Sequence, residues 1–232
     1  MKYCAAVLLL AGITLAQQKP AIPVDQEPHH HQVLQNQKVR AFVSELAPSE
    51  QTLVHLHSRD YITVFLLNAQ YTATVAGQKP QPRRAAAGTV RYDRAPVIHA
   101  VRNTAPATFR VLDIEFVDQQ GKSTPSKQAA SHYCNPGSKT ACVDEKYLFC
   151  TEKVCVSDVT MGEGAITMKH SHQTDHMLVA LTDYRLSDNV EGKGTNVRVQ
   201  QSGGVQYLPA GITHQLTNVA QHPVRFLVIV WR

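Results

Sequence analysis

Histidines at strand-like spacing are the residues of this chain best suited to chemistry. His170 and His172 are separated by one residue and His176 follows four residues later, so on extended backbone their side chains can share a face. His214 could bring a fourth imidazole from a later strand. Imidazoles that converge in a protein interior are typical ligands of transition metals, whereas buried imidazoles without partners are costly. The spacing therefore predicts a metal site.

A second copy of this pattern lies 115 residues upstream. At that constant offset His55, His57 and His99 precede His170, His172 and His214. The same offset relates further pairs, namely Asp60 and Asp175, Tyr92 and Tyr207, Asn103 and Asn218, and Arg110 and Arg225. The repeat runs without gaps over residues 39–116 and 154–231, which predicts two copies of one domain.

Short strands are the elements that would position these histidines. Segments such as residues 61–67 and 109–116 are rich in β-branched and aromatic residues and are bounded by Pro, Gly, Asn and Ser. No amphipathic helical pattern of useful length interrupts them. The sequence therefore predicts an all-β fold, as a sandwich or barrel in each copy.

Two stretches of the second copy resemble the motifs of the cupin superfamily. His170-Ser-His172-Gln-Thr-Asp175-His176 is similar to the first cupin motif, with histidine in the place of its glutamate. Residues 204–218, which include His214, resemble the second motif with one residue fewer before its proline. The resemblance implies a bicupin with two tandem jelly-roll (double-stranded β-helix) barrels. It also implies that His170, His172, His176 and His214 bind manganese, iron or copper, with zinc or nickel as alternatives.

The first copy departs from the cupin pattern. Tyr61 occupies the glutamate position, while Arg94 and Pro96 replace a proline and a glycine of the second motif. His55, His57 and His99 therefore form a weaker candidate metal site, and a degenerate copy without metal is an equal alternative. Asp60 and Asp175 could each orient the second ring nitrogen of a metal-binding histidine, or they could be simple loop residues.

The cysteines and the N-terminus indicate export. Residues 1–16 are typical of a signal peptide cleaved near Ala16, which predicts a secreted or periplasmic protein, although a buried helix or strand is an alternative. Cys134, Cys142, Cys150 and Cys155 predict two disulfides in any of three pairings. A zinc site is the rival interpretation, but the spacing lacks a C-x-x-C pair.

The predicted organisation has five parts. A signal peptide (residues 1–16) precedes a disordered lead-in (17–30), in which His29, His30 and His31 form a solvated tract rather than metal ligands. The N-terminal cupin domain (31–117) and the C-terminal one (154–232) flank a Cys-containing connector (118–153). The disulfides would fix the path of this connector; a substrate lid is an alternative.

Composition and motifs narrow the function. The net charge of +5 comes from scattered residues, which argues against a nucleic-acid partner, and no segment favours stable membrane insertion. The sequence predicts a metal-dependent oxidoreductase of dioxygenase type. Its small-molecule substrate would bind in the C-terminal barrel, walled by Met168, Met177, Leu178 and Tyr207. A non-catalytic bicupin that binds a small ligand or a metal is the alternative, and a homodimer is compatible with the resemblance.

Overall fold

The computed structural model describes residues 20–232. The predicted signal peptide and Cys4 therefore lie outside the described residues. Within residues 20–232 the secondary structure consists of 21 strands and one 3₁₀ helix, Val24–Gln26. The predicted all-β fold is confirmed. None of the helical structure in these residues is long and apolar enough to cross a lipid bilayer.

The N-terminal half forms a jelly roll of two facing five-stranded sheets. Its strands are β1 (Ile22–Pro23), β2 (His30–Gln35), β3 (Val39–Leu46), β4 (His55–His57), β5 (Tyr61–Phe65), β6 (Ala69–Val75), β7 (Gln81–Ala85), β8 (Val90–Asp93), β9 (Val97–Asn103) and β10 (Phe109–Phe116). One sheet has the order β1-β4-β9-β6-β7 and the other the order β2-β3-β10-β5-β8.

The C-terminal half repeats this plan, but one of its two sheets has additional strands. Its strands are β11 (Thr124–Pro125), β12 (Ser131–Cys134), β13 (Cys142–Cys150), β14 (Val154–Met161), β15 (His170–His172), β16 (His176–Ala180), β17 (Tyr184–Val190), β18 (Gly194–Gln200), β19 (Val205–Leu208), β20 (Ile212–Asn218) and β21 (Val224–Trp231). The four-stranded sheet has the order β15-β20-β17-β18. The seven-stranded sheet has the order β11-β13-β14-β21-β16-β19, with β12 beside β13.

The two halves share one hydrophobic core cluster. It joins buried residues of β3, β5 and β10, such as Ile62 and Ile114, to residues of β14, β16 and β21, such as Val179 and Ile229. Alternate residues of the same strands face the interior of their own barrel; Leu178 and Phe226, for example, pack in a separate cluster. Because both faces of these strands are covered, β21 is apolar at every position except Arg225, and β16 is apolar after His176.

The contact between the halves has approximate two-fold character. A side chain at Gly88 would meet the guanidinium of Arg225, and one at Gly203 would meet Leu66 and, more distantly, Arg110. Gly88 and Gly203 are equivalent in the repeat, as are Arg110 and Arg225. A contact in which the same two positions are exchanged between copies is isologous, as in a symmetric dimer. One chain thus contains an internal pair of barrels.

The repeat extends beyond the range that the sequence showed. Strand β2 has a β-bulge between Gln32 and Leu34, and β13 has one between Tyr147 and Phe149, again 115 residues apart. The prediction of a disordered lead-in is therefore wrong for residues 20–30, which form β1, the 3₁₀ helix and the start of β2. Likewise β13, placed in the predicted connector, is a strand of the C-terminal sheet paired with β14.

Two disulfides hold this additional strand. Cys134 is bonded to Cys142, and Cys150 to Cys155. Each bond joins directly opposed positions of neighbouring antiparallel strands, β12 with β13 and β13 with β14. The structure thus selects one of the three pairings, and oxidised sulfurs cannot act as the thiolate ligands that a zinc site needs. Disulfides are consistent with an oxidising compartment.

A buried asparagine at the same repeat position of each barrel bonds backbone groups of neighbouring chain segments. The Asn218 amide nitrogen donates to the carbonyls of Met161, Gly162 and His222, and its oxygen accepts from the backbone N–H of Ala220. Asn103 makes the equivalent set of bonds in the first copy. These bonds tie the end of β20 or β9 to two chain segments that would otherwise leave buried carbonyls without donors.

We expect Asn218→Ala to lower the free energy of unfolding by roughly 2–3 kcal/mol, because it leaves several buried backbone groups unpaired. Urea denaturation of the oxidised protein measures the loss. Asn189→Ala, at an exposed position of β17, is the matched control and should change stability by less than about 0.5 kcal/mol. Equal effects of the two substitutions would show that the Asn218 bonds contribute nothing.

Candidate metal centres

The N-terminal barrel brings three predicted ligands together. His55 and His57 lie on one face of β4, and His99 on β9 is directly opposite His55. The ring centroids are 4.5 Å apart for His55 and His99, 5.1 Å for His55 and His57, and 5.3 Å for His57 and His99. The side chains of His55 and His57 have no solvent exposure.

The ring nitrogens of this cluster are arranged as in a metal site. His55 Nδ1 donates to the carbonyl of Leu53 at 2.9 Å, and His57 Nδ1 bonds the Glu115 carboxylate at 3.1 Å. With the proton on Nδ1, Nε2 keeps a free lone pair. The Nε2 atoms of His55, His57 and His99 are all buried without a hydrogen-bond partner. The far nitrogens of His55 and His57 are thus already bonded, as is usual for metal-binding histidines. One ring nitrogen each of His30, His55 and His57 lies within 4.8 Å of the others, close enough to share an ion.

His30 is a further member of this cluster that the sequence analysis assigned to a solvated tract. Its side chain is 4% exposed and its ring centroid lies 4.6 Å from that of His55. Its Nδ1 is 2.7 Å from a Glu27 oxygen and its Nε2 is 3.6 Å from an Asp113 oxygen. Burial lowers the pKa of His30, but Asp113 and Glu27 outweigh it and raise the pKa to about 9. The strand β2 buries His30 because it pairs with β3; extending the repeat upstream would have revealed it.

Tyr61, at the repeat position of His176, packs against a histidine of the first copy. Its ring stacks on His57, with the centroids 4.1 Å apart and the planes 12° from parallel. His176, at the equivalent position, stacks on His172 at 3.6 Å with the same angle. The fold thus gives both positions the same orientation.

The C-terminal barrel assembles His170, His172 and His214, one ring nitrogen of each lying within 4.8 Å of the others. His170 on β15 is directly opposite His214 on β20. Their Nε2 atoms face each other at 3.1 Å. Two ligands at right angles around an ion with bonds of about 2.1 Å would be separated by about 3 Å.

The hydrogen bonds of the two Nδ1 atoms show which ring nitrogens of His170 and His214 carry the protons. His170 Nδ1 donates to the Met168 carbonyl at 2.9 Å, and His214 Nδ1 is 2.8 Å from Asp188 Oδ1. With both protons on Nδ1, two lone pairs face each other, an arrangement that repels unless a proton or a metal ion lies between them. The other oxygen of Asp188 accepts from the Arg198 guanidinium at 2.6 Å. Asp188 has no counterpart of its kind in the first copy, where Ala73 occupies its position.

His176 lies in the same cavity but outside the group of three. Both of its ring nitrogens are buried without a partner, and its ring stacks on that of His172. Burial, followed by the neighbouring histidines, lowers the pKa of His176 to about 3 and that of His172 to about 4. The uncharged form of these rings is the one that binds metals.

The aspartates predicted to orient metal-binding histidines have another role. Asp175 accepts the Tyr207 hydroxyl and the backbone N–H of Ala210, and Asp60 makes the same bonds with Tyr92 and Ala95. They therefore fix the loop before the last histidine-bearing strand. The carboxylates that contact the predicted metal-binding histidines are instead Glu115 at His57 and Asp188 at His214. Sequence spacing could not identify them because sheet pairing alone brings them close.

The cavities around the two clusters differ in size. The C-terminal cavity has a volume of about 430 Å³ and the N-terminal one about 130 Å³. Of the four predicted wall residues, Met168 and Leu178 line the C-terminal cavity. Met177 and Tyr207 do not; they pack in the core cluster between the halves, since Met177 follows His176 by one residue and must face the other side of β16.

Comparison with known proteins defines the class of fold. No protein-family model matches this chain, and no curated protein matches its sequence. Among solved structures, AerE from Microcystis aeruginosa resembles it with a TM-score of 0.63 and 16% identity, over 90% of this chain and 96% of AerE. A cupin 2 conserved barrel domain protein from Leptotrichia buccalis has a TM-score of 0.54 and 13% identity, over 88% of each chain.

An enzyme is also among the similar structures. Oxalate decarboxylase from Bacillus subtilis, which has Mn(II) centres, matches with a TM-score of 0.57 and 12% identity, over 87% of this chain and 74% of the enzyme. These similarities show that the chain has the cupin fold. Proteins with this fold thus include an enzyme with Mn(II) centres.

We expect Asp188→Ala to lower the free energy of unfolding by about 3 kcal/mol, because the mostly buried Arg198 loses its fully buried partner. Thermal or urea unfolding of the metal-free protein measures this. Glu191→Ala removes the partner of Lys169 in an exposed ion pair and should cost less than about 1 kcal/mol. A loss at Asp188 no larger than the loss at Glu191 would contradict the structural role of this pair.

Proposed function

We propose that this protein is a secreted bicupin that binds a divalent transition metal in its C-terminal barrel and acts there on a small molecule. His170, His172 and His214 would hold the ion, with His176 as the fourth ligand. The observation that carries the proposal is the pair of Nε2 atoms of His170 and His214 facing each other at 3.1 Å with their far nitrogens already bonded. The two disulfides support an oxidising compartment.

The reaction we propose is an oxidation of dioxygenase type, with dioxygen as the second substrate. A bound manganese, iron or copper ion would supply Lewis-acid and redox chemistry. The protein's own contribution is positional: Asp188 and the Met168 carbonyl hold the rings of His214 and His170, and the apolar side chains of Leu178 and Phe226 line the cavity in which the small molecule would bind.

The N-terminal barrel supports a second candidate role, a closed metal site. Its three unpartnered Nε2 atoms, on His55, His57 and His99, are fully enclosed, and the surrounding cavity is less than a third of the size of the C-terminal one. Structural metal sites are closed, whereas catalytic sites keep a position open. A metal held here would stabilise the barrel, and the chemistry would belong to the other half. A wholly non-catalytic bicupin remains the alternative function.

We expect the mature chain, produced in an oxidising compartment and loaded with manganese, iron(II), copper, zinc or nickel, to bind two ions. Elemental analysis gives the stoichiometry for each metal. His57→Ala should lose the N-terminal ion and His214→Ala the C-terminal one. If His176 is the fourth ligand, His176→Ala should lower the affinity of the C-terminal site for the ion by at least tenfold.

The exposed His222, whose side chain bonds only the neighbouring carbonyl of Pro223, provides the control. His222→Ala should retain both ions. Unchanged metal content in His214→Ala would overturn the C-terminal centre, and unchanged affinity in His176→Ala would exclude that residue as a ligand while leaving the other three.

Access for dioxygen can be tested with nitric oxide, which binds open positions of iron(II). We expect the iron(II)-loaded protein to show the EPR signal of a nitric oxide complex, His214→Ala to lose it and His57→Ala to retain it. The physical reason is that His170 and His172 are partly exposed, whereas His55 and His57 are enclosed. No signal from the loaded wild-type protein would favour the non-catalytic alternative.

A further inference from the structure

The disulfide-bonded strand β13 contributes a carboxylate to the C-terminal cavity. Glu145 lines it together with Tyr147 of the same strand and Tyr133 of β12. The predicted connector therefore forms one wall of the cavity that holds His170 and His214. The sequence pattern did not assign Glu145 to this site, because the repeat is evident in the second copy only from residue 154 onward.

Hydrogen bonds hold the Glu145 carboxylate in place, but no cationic side chain of the described residues pairs with it. The hydroxyl of Ser157 donates to its Oε1 at 2.7 Å, and the hydroxyl of Tyr147 donates to its Oε2 at 2.9 Å. Each oxygen keeps a second lone pair for another donor. Among the described residues that line the cavity there is no Lys or Arg and no other Asp or Glu. Glu145 also makes no ion pair with any residue in the range 20–232.

The residue at the equivalent position of the first copy, His30, has charged partners that Glu145 lacks in the described part of the chain. His30 precedes Glu145 by 115 residues, and the two occupy matching places in their sheets, opposite Ser44 and Val159. His30 is enclosed between two carboxylates, Glu27 and Asp113, so its polar atoms are satisfied within the protein. In the smaller cavity this position is thus satisfied by charged groups of the protein, whereas in the larger cavity Glu145 has hydroxyl partners but no cationic one among residues 20–232.

We propose that Glu145 binds the ligand of the C-terminal barrel and selects small molecules that carry both a metal-binding oxygen and a hydrogen-bond donor, an ammonium or a hydroxyl group. The inference rests on the metal centre proposed above. Apolar side chains such as Val156, Leu178 and Phe226 make up most of the remaining wall, so the body of the ligand is apolar. In such surroundings a carboxylate that gains a donor is stabilised, and one that faces a methyl group is not.

The test uses benzoates with an aminomethyl, hydroxymethyl or methyl group at ring position 3 or 4. The two ring positions place this group at two different distances from the carboxylate. Their carboxylate can bind the metal, and they differ only in the donor. Binding to the full mature chain loaded with redox-inactive zinc is measured by calorimetry or ligand NMR. Wild type is compared with Glu145→Gln and with Asp144→Asn, a control at the exposed neighbouring position on β13.

We expect wild type to bind at least one donor-bearing benzoate about tenfold more tightly than its methyl analogue, the difference that one charge-assisted hydrogen bond supplies. Glu145→Gln should reduce this preference to within about twofold without changing zinc content or the affinity for the methyl compounds. Asp144→Asn should behave as wild type. A preference for the amine over the alcohol would identify ammonium as the donor.

Other results would overturn the proposal in distinguishable ways. Equal affinity of all benzoates for wild type, or an unchanged preference in Glu145→Gln, would remove the role of Glu145 and leave the metal centre intact. Loss of zinc in Glu145→Gln would make Glu145 a metal ligand instead. Methyl-substituted benzoates that bind equally with and without zinc would overturn coordination of the ligand by the metal. Zinc content that is the same in wild type and in His214→Ala would overturn the metal centre itself. No binding by any benzoate would overturn the proposed ligand class.

Discussion

An imidazole buried in a barrel must find a partner for each of its two ring nitrogens, and this constraint governs both halves of the molecule. In each barrel the Nδ1 atoms of two histidines bond a carbonyl or a carboxylate, which directs their Nε2 atoms inward. Within residues 20–232, these Nε2 atoms of the first barrel have no hydrogen-bond partner, and in the second those of His170 and His214 face only each other. Neutral acceptors gathered in this way are unfavourable on their own and favourable around a cation. Jelly-roll strands hold them there because antiparallel pairing places His55 opposite His99 and His170 opposite His214.

Duplication allowed the two barrels to satisfy the same constraint differently. The first copy fills its interior with His30 and two carboxylates and leaves little space. The second copy carries Glu145 at the position of His30 and keeps a larger cavity. Both copies bury one sheet against the other half through a common apolar core. That shared core fixes the barrels relative to each other, so their interiors can diverge without loss of the fold.

Much of the fold and part of the site could be predicted from residue order. Side chains alternate along a strand, so the spacing of His55 and His57, or of His170 and His172, is enough to place each pair on one face. The constant offset then identified His99 and His214 as their counterparts on a later strand. Bulges at the same offset show that the repeat also includes His30 and Glu145. The sequence did not reveal this extension, because apolar patterning is weak around the cysteines that flank Glu145.

The sequence by itself determined the all-β class, the duplication and the histidines that share a strand face, because these depend on local periodicity. Only the tertiary structure decided which carboxylates contact them. Glu115 reaches His57 across 58 residues and Asp188 reaches His214 across 26, through pairing of strands that are distant in the chain. The same holds for His176, whose stacked ring and unpartnered nitrogens reflect the packing around β16. Local spacing determines to which face of a strand each side chain points. Which residues become neighbours across a sheet is determined only when the whole barrel forms.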